Sequence, residues 1–328
     1  MIHSMKCFAA AAGALLLAHA TAAAQTKLSV PALTFPTILN TSNDIIKAKE
    51  FDKANGFDMT VISYGTPGAQ FAGIAKGEAV AGVLPPYLIG KMRTEGVPIA
   101  VLATFAGMED TQIVTRNPDI KSFSDLKGKS LAATVGFSAY QYLEIYSKKL
   151  GLKLNTDIQI VNASSALAQT QLQADRVDAI LIWEPGTTRV LKQIPDARVI
   201  FTGDQGWKSV TGEAGWDVVI WVNTDWAKAN PGTLPRLVKM YQDYANVMMT
   251  TPDDADGIIS SEKYTSKGIP AGTISTAINS KRLSIVVNPT WEADANRQLW
   301  QMFDLGLKEG FLTAAADRGT VISEAPKP

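Results

Sequence analysis

Short apolar runs alternate with stretches of helical spacing along most of the chain. Residues 27–33 predict a strand, and residues 43–54 a helix capped by Asn43 and stopped at Gly56. Residues 59–64 predict the next strand, and Gly65-Thr66-Pro67-Gly68 reads as a turn that opens a helix. Two further strands follow at 80–84, stopped by Pro85-Pro86, and at 99–105. A second cycle begins near Thr111, with a strand at 130–135. Gly136-Phe137-Ser138 then opens a helix whose apolar positions Ala139, Leu143, Tyr146 and Leu150 share one face, closed by Gly151. Strands at 158–161, 178–183 and 199–201 complete the cycle, with Ser164 capping the helix between the first two. Residues 216–222 read as a buried strand, and the rest is mostly helical. Leu237, Met240, Tyr241, Tyr244, Val247 and Met248 form one apolar face, and 291–307 a long helix. The polar tail 324–328 reads as frayed. Alternation of this kind argues an α/β fold, and the length suggests two domains.

The N-terminus changes the inventory. Lys6, the apolar run 8–18 and Ala22-Ala23-Ala24 have the order of a secretory signal, which predicts cleavage before Gln25 and a periplasmic mature chain. The apolar run is too short for a membrane span, which needs about 20 residues. Cys7, His3 and His19 are the chain's sole cysteine and histidines, and all three would leave with residues 1–24. The mature chain then has no Ser-His-Asp or Cys-His constellation, no thiolate or histidine metal site, and no disulfide. No catalytic residue, metal or cofactor is expected. Ser124-Asp125-Leu126-Lys127 fits S-x-x-K, but it sits in what reads as a short exposed turn and lacks a partner motif. The formal net charge is zero, with no basic patch suited to nucleic acid.

Three stretches resemble a known family. They are Gly65-Thr66-Pro67-Gly68-Ala69-Gln70 with Ala75-Lys76-Gly77-Glu78; residues 123–130 leading to Gly136-Phe137-Ser138-Ala139; and Arg176-Val177-Asp178-Ala179 running to Trp183-Glu184-Pro185. Their order and spacing are similar to those of the solute-binding proteins of ATP-binding-cassette importers for nitrate, sulfonates, taurine and thiamine-pyrimidine precursors. The chain departs from that family in having Val80 and Glu184 where Asp is usual, and Asp175 where Gly is common. The resemblance implies a two-lobed type II periplasmic binding fold with a ligand cleft between the lobes. Lobe one would take residues 25–110 and 218–328, and lobe two 111–217, with two hinge crossings. It also implies a monomer that serves a membrane permease.

Ligands of open α/β sheets lie beyond the carboxyl ends of strands. That rule selects Thr34 and Phe35, Gly65 and Thr66, Pro85 and Tyr87, then Gly136, Phe137 and Ser138, and finally Trp183 and Glu184. The helices starting at Thr66 and Phe137 offer free N–H groups to an anion, or are simply capped helices. Phe35, Tyr87, Phe137, Trp183 and Trp216 could line an apolar wall, whereas Phe105 and Trp221 suit the core. Glu109, Glu184 and Asp217 fall at cleft or hinge positions, and no Arg or Lys lies in the strand-end loops. Those carboxylates suit a ligand with N–H donors, or else a hinge hydrogen bond or a solvated rim. The expectation is a non-enzymatic extracytoplasmic subunit that captures a sulfonate- or taurine-like or nitrogen-containing nutrient. A receptor for a thiamine-pyrimidine precursor or an aromatic carboxylate is the alternative, and an enzyme on the same fold a more distant one.

Overall fold

A computed structural model describes residues 25–34, 37–261, 263 and 268–325. Residues 1–24, read above as a secretory signal, lie outside the described residues, as do Phe35 and the end of the tail.

Ten strands form among these residues: β1 (Thr26–Leu33), β2 (Phe57–Tyr64), β3 (Ala81–Leu84), β4 (Ile99–Gly107), β5 (Thr111–Thr115), β6 (Ser130–Ala133), β7 (Gln159–Asn162), β8 (Ala179–Trp183), β9 (Arg198–Thr202) and β10 (Trp216–Asn223). β1 and β2 pair in parallel, and β10 runs antiparallel between β3 and β4. The Val80 N–H donates to Ser29 O at 2.8 Å and seats β3 beside β1. The first layer therefore reads β2-β1-β3-β10-β4. The second reads β7-β6-β8-β5-β9, with β6 parallel to its neighbours and β5 antiparallel to both of its own. Each layer places its first parallel strand between the next two, then a reversed strand, then a last one. The molecule is an α/β protein with two five-stranded layers of one plan, the first assembled from a two-stranded and a three-stranded sheet.

The chain passes from one sheet to the other through a single 3₁₀ turn, Met108–Asp110, and returns where the Gly203–Thr211 helix leads into β10. Every residue of β4 is buried although it ends the sheet, because single bridges from Ile285, Pro289 and Val321 cover its outer edge. Phe105 stacks on Tyr244 at 5.5 Å, and Trp221 is fully buried, so both belong to the core.

Some boundaries differ from the pattern's prediction. The helix expected from Asn43 begins at Ile38, capped by Thr37, and a separate short helix covers Phe51–Ala54. Asn43 lies inside the first helix, its amide donating to Pro31 O at 2.9 Å. Asn40 exchanges two hydrogen bonds with the Leu33 backbone at 3.0 and 2.8 Å. Buried polar residues thus anchor this helix to the end of β1, and they hid its apolar face. Pro85-Pro86 ends β3 but also starts a helix, Pro86–Thr94, since proline suits a first turn. The segment read as an exposed turn around Ser124 is a 3₁₀ turn with Phe123 and Leu126 buried beneath it.

Candidate functional site

The rim of the first sheet is set by strand register. β1 and β2 pair through Leu33 and Tyr64, and the Thr34 N–H donates to Tyr64 O at 3.0 Å. Thr34 and Gly65 therefore share one edge. Thr66 caps the Pro67–Ala75 helix, its hydroxyl accepting from the Ala69 N–H at 3.2 Å. All three residues are exposed, and a side chain at Gly65 or Gly68 would meet nothing within 4 Å.

At the second sheet's rim, β6 leads into a tied loop. The Thr134 hydroxyl donates to Ala163 O at 2.9 Å, and the Val135 N–H to Asn162 Oδ1 at 3.2 Å. Gly136 has φ +90°, a left-handed conformation that glycine adopts without strain. It turns the chain into the Ser138–Lys149 helix. Phe137 is 48% exposed and stacks on Trp183 at 5.6 Å, with the rings 9° from parallel. Phe137 supplies no capping side chain, which leaves the first turn of this helix with open N–H groups.

The hinge strands bring carboxyl groups to the same place. The Ser138 hydroxyl donates to Asp217 Oδ1 at 3.3 Å, and the Tyr142 hydroxyl to Trp216 O at 3.3 Å. Burial pushes half-buried Asp217 up to about 6. It holds Asp110 well above the usual carboxylate range, with Asp217 the strongest of three nearby negative groups. Glu109 is half-buried, its carboxyl lying over Gly107, and burial raises it too.

Glu184 is fully buried. Its N–H donates to Asp110 O at 3.0 Å, and its carboxylate accepts from the Thr188 N–H and hydroxyl, both at 3.0 Å. The Arg282 Nε donates to Glu184 Oε1 at 2.9 Å, and the Arg282 Nη2 to the Thr188 hydroxyl at 2.8 Å. Burial raises Glu184 by more than Arg282 and Thr188 lower it. The partner that a buried Glu184 requires is supplied by the protein. Sequence reasoning passed over Arg282, which is brought from 98 residues away and carries no local signal. Gln112 was also passed over; its amide donates to the carbonyls of Glu109 and Arg282.

The structure thus groups Gly136, Phe137, Ser138, Trp183 and Asp217 beside the hinge, and Thr34, Gly65 and Thr66 on the other rim. Pro85 is half-buried at the end of β3. Tyr87 is buried between Tyr142 and Phe311, with ring centroids at 5.6 and 5.8 Å. Trp216 is buried with its indole N–H on Gln298 at 3.1 Å. Both aromatics stand in an apolar cluster that joins the sheets' helices rather than on an open wall. A separate open groove of about 570 Å³, lined by Trp300, Arg318 and residues 321–324, lies away from these rims.

Two layers of one plan, crossed twice by the chain, with rims of helix N-termini and exposed aromatics, define the bilobal fold of periplasmic solute-binding proteins. The chain belongs to the NMT1/THI5-like family, whose model matches residues 45–255. A curated Escherichia coli (strain K12) relative, described as an aliphatic sulfonates-binding protein, is 37% identical over 92 residues. That match covers 26% of this chain and 28% of the relative. Among solved structures, the periplasmic aliphatic sulphonate-binding protein SsuA of Escherichia coli superposes with a TM-score of 0.75 at 17% identity, over 92% of each chain. The alkanesulfonate-binding SsuA of Xanthomonas axonopodis pv. citri, bound to MOPS, gives 0.68 at 16% identity, over 90% of this chain and 96% of that one. The periplasmic nitrate-binding protein NrtA of Synechocystis PCC 6803 gives 0.62 at 17% identity, over 90% and 83%.

Proposed function

We propose that the chain is the extracytoplasmic solute-binding subunit of an ATP-binding-cassette importer. It captures a small organic solute between its lobes and passes it, chemically unchanged, to a membrane permease. The solute is sulfonate- or taurine-like, or another nitrogen-containing compound. The observation that carries this reading is the second rim, where the exposed Phe137–Trp183 stack adjoins the uncapped start of the Ser138–Lys149 helix. An anionic group placed there meets backbone N–H donors and the positive end of a helix dipole. An apolar or planar body placed there covers the rings. The sulfonate- and nitrate-binding relatives support an anionic ligand class. On this reading residues 1–24 are a signal removed before Gln25, and the mature chain works in the periplasm as a monomer.

A planar heteroaromatic or aromatic carboxylate is the second reading, favoured by the near-parallel stack of Phe137 and Trp183, which offers a flat face. The test is a thermal-shift and calorimetric screen of residues 25–328 against sulfonates, nitrate, aromatic carboxylates, amines and pyrimidines. A ligand of the folded state stabilises it by mass action, by about 2.7 kcal/mol at a hundredfold excess over Kd, and so raises the melting point. Saturable binding of one class without turnover is the expected result. Steady-state conversion of any compound would reject the transport reading.

A further inference from the structure

The segment that follows the Thr273–Asn279 helix belongs to the first layer by its main chain. The Arg282 N–H donates to Ala277 O at 2.9 Å, Ile285 bridges to Ala106 of β4, and the Val286 N–H donates to Phe105 O at 2.8 Å. Its other bonds go to the second layer. The Arg282 carbonyl accepts from Gln112 of β5 at 3.1 Å. The guanidinium spans Glu184 and Thr188 at 2.9 and 2.8 Å, and so reaches the end of β8 and the Gly186–Gln193 helix. About one helical turn beyond Thr188, Lys192 Nζ donates to Gly272 O at 3.1 Å, at the opposite end of the Thr273–Asn279 helix. Two helices of different layers are thus bonded at both ends of the Thr273–Asn279 helix.

This tie is buried as well as doubled. Glu184 is wholly buried and Arg282 is 16% exposed. The cations of two other pairs joining the layers, Lys148–Glu309 and Arg297–Glu213, are more than half exposed. Exposed pairs of that kind do little to hold two surfaces together. Glu184 also follows directly on Trp183, whose ring stacks on Phe137, so the tie lies one residue from the proposed solute rim.

We infer that Arg282 is a positioning residue for solute capture: its two-point grip on Glu184 and Thr188 holds the lobes in the binding arrangement without a contact to the solute. This inference rests on the solute-binding reading above, which makes the two layers lobes of a cleft. Parting the lobes must exchange both bonds for water. A chain without the tie spends less time in the binding arrangement, and every solute then binds more weakly by one common factor. A residue that touched the solute would instead weaken different compounds unequally.

The experiment measures the lobes directly. Residues 25–328 contain no cysteine, so spin labels can be placed in chosen pairs. Lys76→Cys with Thr170→Cys puts one label on each lobe, and Lys127→Cys with Thr170→Cys puts both on the second; all three positions are exposed. Pulsed dipolar distances are read without solute in the wild-type chain, Arg282→Lys, Arg282→Met and Arg282→Met/Glu184→Gln. The double variant removes the tie without stranding a buried charge, and thermal melts of each variant report folding. Both Met variants should raise the population at longer inter-lobe distance by at least about threefold. Arg282→Lys should raise it less, since an ammonium keeps the charge but lacks the planar fork. Distances within the second lobe should not change. An unchanged inter-lobe distribution in the folded double variant would overturn the tie, as would an equal change within the second lobe. Calorimetry with ethanesulfonate, nitrate and benzoate then reads affinity. Each compound that binds should weaken by the factor by which the shorter-distance population falls, whatever its chemistry. A larger loss, or one that differs between compounds, would make Arg282 a solute contact and overturn the inference. If no compound of the wider screen binds the wild-type chain, the solute reading falls, and the distances alone decide the tie.

Discussion

The lobes meet along two seams built from opposite chemistry. One is apolar: Tyr142, Ile145 and Trp207 from the second lobe are buried with Tyr87, Met108, Trp216, Phe303 and Leu312. Tyr142 touches Tyr87 at 5.6 Å and Trp207 at 5.8 Å, and the Gly215 Cα comes so close that a side chain there would collide with Trp207 and Met108. The other seam is polar: Arg282 grips Glu184 and Thr188, and Lys192 Nζ donates to Gly272 O at 3.1 Å. Close-packed surfaces lose contacts steeply when displaced, whereas charged groups can exchange a partner for water. On these grounds the apolar seam is expected to act as the rigid pivot and the polar seam as the contact more easily exchanged for water.

The largest expected effect strikes the pivot. Tyr142→Ala should cost about 4 kcal/mol of stability, read by urea unfolding, because it leaves a buried cavity between the lobes. Tyr142→Phe, which loses the hydroxyl's bonds to Trp216 O and Ser138, should cost about 1 kcal/mol. Equal losses in the two variants would mean that the ring does not pack as described.

At the polar seam, Arg282→Ala should cost about 3 kcal/mol, since it strands a buried carboxylate. Glu184→Gln should cost less, about 1–2 kcal/mol: burial already raises the Glu184 acid, but both its oxygens accept, from the Thr188 N–H and from Arg282 Nε, so an amide nitrogen at either place meets a donor. If Glu184→Gln matched Arg282→Ala in cost, the ion pair would be a net source of stability and the seam a fixed one.

Asp217 yields a smaller effect with a definite sign. Its value in the folded chain, about 6, lies above the ordinary 3.8. Ionising it therefore opposes folding: its favourable contribution is complete below about pH 4 and lost as the pH rises through 6. Asp217→Asn should leave the melting point unchanged at pH 4 and stabilise the chain by about 2 kcal/mol at pH 8. Destabilisation at pH 8 would show that the carboxylate is paired within the protein.

The smallest stability change belongs to the rim. Phe137 is half exposed, so Phe137→Ser should cost under about 1 kcal/mol, chiefly the stack on Trp183. Solute affinity should nevertheless fall about tenfold in calorimetry. A rim residue that alters binding more than folding is the counterpart of a pivot residue that does the reverse.

Much of the strand pattern was legible because β1, β4, β8 and β10 are short apolar runs bounded by turn residues. Gly136 was readable as a turn for the same local reason. The helix at Ile38–Ala48 was misplaced because Asn40 and Asn43 spend their amides on strand carbonyls, which makes a buried face look polar. Tyr87 read as a strand-end aromatic, but Pro86 starts a helix and rolls its ring toward Tyr142. Arg282 left no trace, since a guanidinium's partner across 98 residues is decided by the fold and not by neighbours in sequence. The shared plan of the two layers was likewise invisible, because strand order belongs to backbone topology and requires no repeated side chains.

The measurement that tests the account most directly is hydrogen exchange by mass spectrometry on residues 25–328, with and without the tightest solute from the screen. The account predicts slowed exchange at the start of the Ser138–Lys149 helix and around Gly65–Gln70, the two rims that close on the solute. Protection confined to the groove lined by Trp300 and Arg318, with both rims unchanged, would contradict it.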